Sequence, residues 1–265
     1  MPAARAPDPP RPARHPALPI CTGEAVTRPL KTSEAVARDI VHDVVSQGLG
    51  TGDRLPSEAA MLEHYGVSRE SLREGLRLLE VQGLISIRRG PGGGPVVGRL
   101  DPANLGRTST LYYHLAGGTY AELFEAWVLT ESLLAERAAR HPDRDAVRAA
   151  MAPFLEDGGG ADADGSDRRA FVVAHSRFHA VVAALAGNRV LELLLQTIGQ
   201  IVTHHVVADA HLPDAPLVAE DHAAVARAVA AGRPRSAGRV MADHIERMAA
   251  SYRDEIGMDD FIDWR

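Results

Sequence analysis

Apolar residues return every three or four positions over most of this chain, the spacing of one face of a helix, and they alternate with polar residues in only two short stretches. Val36, Ile40 and Val44 set the first helical stripe. Ser57 is placed to cap a short second helix running to Tyr65, and Gly66 follows where a left-handed residue would end it. Ser68 offers a further cap, opening a third helix with Leu72, Leu76 and Leu79 on one side and Val67 poised to staple against Leu72. Two helices joined by so tight a turn predict a helix-turn-helix. The alternating stretches come next, Leu84-Ile85-Ser86-Ile87 and Pro95-Val96-Val97, around a glycine and proline cluster; they predict a two-stranded wing. Beyond about Asn104 only helical spacing remains, with Leu123, Trp127 and Leu134 in one segment and Phe171, Phe178, Val182 and Leu185 in another. Asn188 is placed as the N-cap of a helix beginning at Arg189.

The pattern predicts a mainly α protein of two domains. An α+β winged helix-turn-helix occupies 28–98, centred on Leu55 to Val97, and an all-α helical bundle occupies 99–256, with tails at 1–27 and 257–265. A length of 265 residues allows two cores of ordinary size. The 45% hydrophobic and 24% charged composition is that of a globular protein, and no apolar run is expected to reach the roughly 20 residues that cross a bilayer, so no membrane partner is expected. Cys21 is the single cysteine, which excludes an internal disulfide or thiolate cluster and fits the cytoplasm. The opening segment lacks the apolar core of a signal peptide and reads as a disordered tail. A second glycine-rich loop is expected at 158–165. The net charge of -6 decides little, because binding DNA needs only a local basic stripe.

Such a stripe is present. Arg69, Arg73 and Arg77 are spaced by four, on a face of the third helix distinct from its leucines. A guanidinium matches guanine O6/N7 or a phosphate with two parallel hydrogen bonds, and Ser71 adds a hydroxyl. The alternative is that these arginines pair with Glu70 and Glu74 on a solvated face. Arg88 and Arg89 lie at the base of the glycine tip, where Arg89 could enter a minor groove. The run LPSEAAMLEHYGVSRESLREGLRLLEVQGLISIRRGPGGGPVV resembles the DNA-binding domain of the GntR family. The resemblance implies contacts to double-stranded operator DNA from Arg69, Glu70, Ser71, Arg73 and Arg89. One departure is Ala59, where many members carry a basic residue.

The later helices carry a second constellation. His175 and His179 are four apart on an apolar face, His222 lies in a stripe with Val218, Val225 and Val229, and His244 lies with Met241 and Met248. Four inward histidines on three helices predict a divalent metal site for zinc, with nickel or another first-row ion as alternatives; the bland alternative is four core histidines. His204 and His205 are left outside it. The segments HSRFHAVVAALAGN, EDHAAV and MADHIERM resemble the FCD effector-binding domain of the FadR subfamily, which implies a metal held by an Asp-x-x-x-His pair and two later histidines, a small-molecule effector and a homodimer. His175 stands where the family has aspartate, leaving an ion's charge uncompensated and favouring an anionic effector, a small organic acid. Trp127 stands where the family's Glu-x-Arg-x-x-x-Glu helix supplies arginine, with Glu125 and Glu131 retained. Trp127 and Glu131 are the expected effector contacts, for a bulkier ligand than many relatives sense; alternatively Trp127 is core. The expected function is a transcription regulator, a repressor controlled by a metabolite, or else by the metal ion itself. A hydrolase is disfavoured because no glutamate is spaced to act beside a ligand, Glu220 being the nearest.

Overall fold

The computed structural model describes residues 18, 29–90, 92–155, 167–207, 213–253 and 255–264. The expected N-terminal tail, apart from Leu18, and the loop at 158–165 lie outside the described residues. The protein is mainly α and divides into two compact units, Cys21–Thr108 and Ser109–Arg265 with Met1–Ile20.

The first unit contains α1 (Thr32–Ser46), α2 (Glu58–Tyr65), α3 (Arg69–Val81), β1 (Ile85–Arg88) and β2 (Gly94–Val97). Local chemistry sets its turns. Ser57 accepts a hydrogen bond from the Ala60 amide at 3.2 Å, and Ser68 accepts one from Ser71 at 3.2 Å. Gly66 between them has φ 61°, a conformation that costs other residues roughly 1 kcal/mol, so α2 stops and α3 starts within three residues. Val36, Ile40, Met61, Leu72, Leu76, Leu79 and Ile85 close the core beneath. Close approach of α3 to α1 requires glycine at position 75, where a Cβ would stand 2.6 Å from Val36 Cγ1. The strands pair antiparallel from Ile85↔Val97 to Arg88↔Gly94, which carries Arg88 to the foot of the tip.

The boundary between the units falls within α4 (Pro102–Ala116), ten residues beyond the expected limit at 98. The helical unit continues with α5 (Tyr120–Ala139), α6 (Arg144–Met151), α7 (Arg168–Leu185), α8 (Arg189–Val202), α9 (Ala215–Ala230) and α10 (Pro234–Tyr252). A 3-10 turn, Ala152–Phe154, follows α6, and a π-helical turn, Thr203–Val207, extends α8. Asn188 caps α8 as expected, accepting from the amides of Val190 and Leu191 at 3.1 Å. α5 is the central helix, packed against α7, α8, α9 and α10, with Leu134, Ala135 and Ala138 fully buried.

Two parts of this unit differ from the sequence reading. Arg189–Val207, 19 residues, is long and apolar enough by length and composition to cross a membrane, contrary to the expectation that no run approached that length. It buries Leu195, Ile198, Ile201, Val202, Val206 and Val207 and leaves Val190, Leu193 and Leu194 exposed. The segment 257–264, expected as a tail, is tied down along α4 and α5. The Ile262 amide donates to Gly118 O at 3.0 Å, the Asp263 amide donates to Tyr120 Oη at 3.1 Å, and the Ile262 side chain is buried.

Candidate DNA interface and metal centre

On α3, the Arg69 and Arg73 side chains are about two-thirds exposed, at 70% and 66%. Their Nε atoms reach the same oxygen, Glu58 Oε1, at 3.5 and 3.3 Å. Neither of the neighbouring helical glutamates is their partner in these contacts; the pairing comes from α2. Exposed pairs of this kind contribute at most about 1 kcal/mol, so either arginine can exchange Glu58 for a phosphate or guanine at little cost. Ser71 Oγ accepts from Ser68 Oγ at 3.0 Å, which leaves its own proton to donate. Glu70 and Arg89 are exposed, as is the neutral Ala59 on α2.

Arg73 and Arg77 line one side of a groove whose other side is the wing, with Arg88 and Gly92 to Val96. Arg54 belongs to the same groove, held by a bridge to Val96 and close beneath Gly92. The wing tip must be glycine at 93, where a Cβ would lie 2.3 Å from Arg88 O. The face formed by α3 and the wing is therefore a guanidinium-rich concavity with a tip thin enough to approach a duplex closely. Arg54 and Glu58 were missed in sequence; the signal was their position flanking Leu55-Pro56-Ser57, at the entry to α2.

In the helical unit, His175 and His179 on α7, His222 on α9 and His244 on α10 converge, with ligand-capable atoms all within 4.8 Å of one another. His179, His222 and His244 are buried and His175 is half-buried. His204 and His205 lie on the π-helical turn, outside this group. Burial, reinforced by the neighbouring imidazoles, holds His175 and His179 well below the usual histidine range, so both are neutral at pH 7 with a lone pair available. Nε2 of His175, His179 and His244 has no hydrogen-bond partner. Each such buried nitrogen costs about 1–3 kcal/mol unless something satisfies it. Neutral imidazoles at this spacing suit a first-row divalent ion, zinc included, so the residues present fit a metal. Phe171 stacks on His175 at 5.8 Å and Phe178 on His222 at 4.0 Å between ring centres, giving the cluster a dry apolar wall.

Carboxylates surround the imidazoles. Asp221 Oδ2 lies 3.2 Å from His244 Nδ1 and accepts from Arg247 Nε at 3.0 Å. Burial opposes ionisation of Asp221, but the hydrogen bonds and charges of His244 and Arg247 outweigh it and hold the carboxyl below its usual range. Glu131, fully buried on α5, accepts from Trp127 Nε1 at 3.2 Å through Oε1. The same Oε1 comes within 2.6 Å of His179 Nδ1, off hydrogen-bond alignment, and Oε2 has no partner. Burial pushes the Glu131 carboxyl up to about 8, with the Trp127 hydrogen bond and the charge of His244 pulling the other way. One expectation is corrected: a glutamate does stand beside a histidine of the cluster, whereas Glu220 is exposed. The packing of α5 on α7, which no local spacing reveals, brings Glu131 there. Trp127 is core, buried with Phe124, and is also the donor that holds Glu131.

Residues 32–93 match the profile of bacterial regulatory proteins of the gntR family, and residues 122–247 match the FCD domain. The chain is 30% identical over 230 residues to the HTH-type transcriptional regulator RmpR of Mycobacterium gastri, an alignment covering 82% of this chain and 79% of RmpR. The chain belongs to the GntR family, with an FCD domain. This GntR-family chain is also 26% identical over 240 residues to the HTH-type transcriptional repressor NanR of Escherichia coli K12, covering 85% of this chain and 87% of NanR. The solved structure of a Streptococcus agalactiae GntR protein shares the fold, with a TM-score of 0.60 and 22% identity over 82% of this chain and 99% of that one. As a GntR-family member, the protein is a DNA-binding transcription regulator and not an enzyme.

Proposed function

We propose that the protein is a homodimeric repressor whose operator affinity is set by a small organic acid at a divalent metal held by His175, His179, His222 and His244. The observation that carries this reading is the convergence of neutral, buried imidazoles with unpartnered nitrogens, in the unit that matches the FCD domain. The metal is zinc, with nickel or another first-row ion as alternatives; when bound it would supply a positively charged Lewis acid that anchors a carboxylate. A net positive charge remains after one nearby carboxylate is counted, which favours an anionic effector. Trp127 and the aromatic walls around His175 would shape the space such an acid occupies. Arg69, Glu70, Ser71, Arg73 and Arg89 read or position operator DNA in the cytoplasm, with Arg54, Arg77 and Arg88 completing the basic face.

The dimer reading rests on exposed apolar residues along two packed helices, Leu129 and Leu133 on α5 and Val190, Leu193 and Leu194 on α8. Such a surface on a regulator is best covered by a second copy. Two copies present two recognition helices, so half-sites one turn of B-DNA apart are expected, about 34–36 Å. Footprinting of the purified protein on DNA flanking its own gene, with native mass measurement, tests this. The expected result is a two-fold-related footprint from a species of twice the 28.3 kDa chain mass. A monomer covering a single half-site at saturating concentration would overturn it.

A second reading has its own support: four imidazoles already fill the coordination of a closed zinc site, leaving little room for an acid. In that case the ion is the signal. Metal added to chelated protein on operator DNA would then change affinity with no organic acid present.

A further inference from the structure

Glu131 was expected to contact the effector, but its surroundings fit a different role. It is fully buried at the centre of α5, and its Oε1 lies 2.6 Å from Nδ1 of His179, a ring whose Nε2 is buried without a hydrogen-bond partner. A related pair occurs at a second histidine of the cluster, where Asp221 on α9 is hydrogen-bonded to Nδ1 of His244 on α10, whereas the contact between Glu131 and His179 is off hydrogen-bond alignment. In both pairs a carboxylate from one helix meets the outer nitrogen of an imidazole on another, and both rings leave Nε2 without a hydrogen-bond partner. A carboxylate at Nδ1 selects the tautomer that keeps the proton there and the lone pair on Nε2, and it makes that lone pair more basic.

The two carboxylates differ in what else they satisfy. Asp221 is shared with Arg247, so its charge is largely balanced. Glu131 receives one neutral donor, the Trp127 indole, and among the described residues no arginine or lysine is paired with it. When ionised, this carboxyl would find no balancing cation among the described residues. Trp127 holds the carboxyl in place through its indole N–H.

We propose that Glu131 is a positioning residue of the metal centre, which orients His179 through Nδ1. This rests on the metal reading above. It also makes Glu131 a determinant of metal affinity rather than of effector recognition.

The test measures zinc affinity by competition with a chromophoric chelator, and the visible absorption of the cobalt(II)-substituted protein, for wild type, Glu131→Gln and Glu131→Ala. Chelated samples of each variant are compared by circular dichroism and thermal melting. Outer partners of metal ligands typically contribute 10–100-fold in metal affinity, so Glu131→Ala should weaken zinc binding by about that factor. Glu131→Gln, which keeps the size and an acceptor oxygen, should fall between the two. The cobalt spectrum should shift in both variants, a change that a purely structural role would not produce. Wild-type affinity and an unchanged spectrum in a folded Glu131→Ala protein would overturn the proposal, as would loss of response to organic acids alone. Wild-type protein that takes up no metal would instead overturn the reading on which the proposal rests.

Discussion

Replacing Arg73 with alanine should abolish operator binding at physiological salt while leaving the fold and the dimer intact. Its side chain stands on α3 between the face shared with Arg69 and the groove shared with Arg77, Arg54 and Arg88. A guanidinium bidentate to a guanine edge contributes about 1–3 kcal/mol, and a dimer loses the contact at both half-sites, or roughly 2–6 kcal/mol in all. That is a fall of about 30-fold to more than 10,000-fold. The folded state should lose little, because the contact given up is the exposed Glu58 pair, whose other member is itself 37% exposed. Fluorescence anisotropy with a labelled operator measures the change, and circular dichroism and native mass control for folding and assembly. Unchanged affinity would sink the assignment of α3 as the reading helix. Arg89→Ala should have a smaller effect, confined to affinity from the wing.

The second large effect is expected in the helical unit. Replacing His179 and His222 together with alanine removes ligands from two of the three contributing helices, so the remaining pair cannot hold an ion tightly. Elemental analysis of the purified variant should show metal falling from about one ion per chain to none. Full occupancy in that variant would rule out this cluster as the site. The double variant also separates metal loss from effector loss: if the ion anchors the effector, the response of operator affinity to organic acids disappears with it.

How far the sequence reached depended on the range of each interaction. The caps at Ser57, Ser68 and Asn188 and the stripe Leu72, Leu76 and Leu79 were legible because each depends on residues two to four positions away. The four histidines were legible for the same reason, since each sits at a helical spacing from apolar neighbours. What was missed acts across elements. Glu58 serves Arg69 and Arg73 from another helix, and Asp221 serves His244, 23 residues away, rather than its neighbour His222. Glu131 reaches His179 only because α5 and α7 pack together. The segment 257–264 was read as a tail because Met258 and Ile262 are too few to set a period, although they pack against or within the core. The apolar length of α8 went unnoticed because it runs on through the π-helical turn at Thr203–Val207.

In the proposed regulator, the histidine cluster sets the affinity of the α3 and wing surface for DNA. Coupling of this kind typically amounts to 1–3 kcal/mol, or 5–150-fold. The most direct measurement is the operator dissociation constant of the full chain in three states: chelated, metal-loaded, and metal-loaded with a panel of small organic acids. At least one acid should change the operator dissociation constant of the metal-loaded protein by 5-fold or more, and the same acid should leave the His179→Ala, His222→Ala double variant unaffected. An operator dissociation constant identical in all three states, on DNA the protein is shown to footprint, would contradict this coupling.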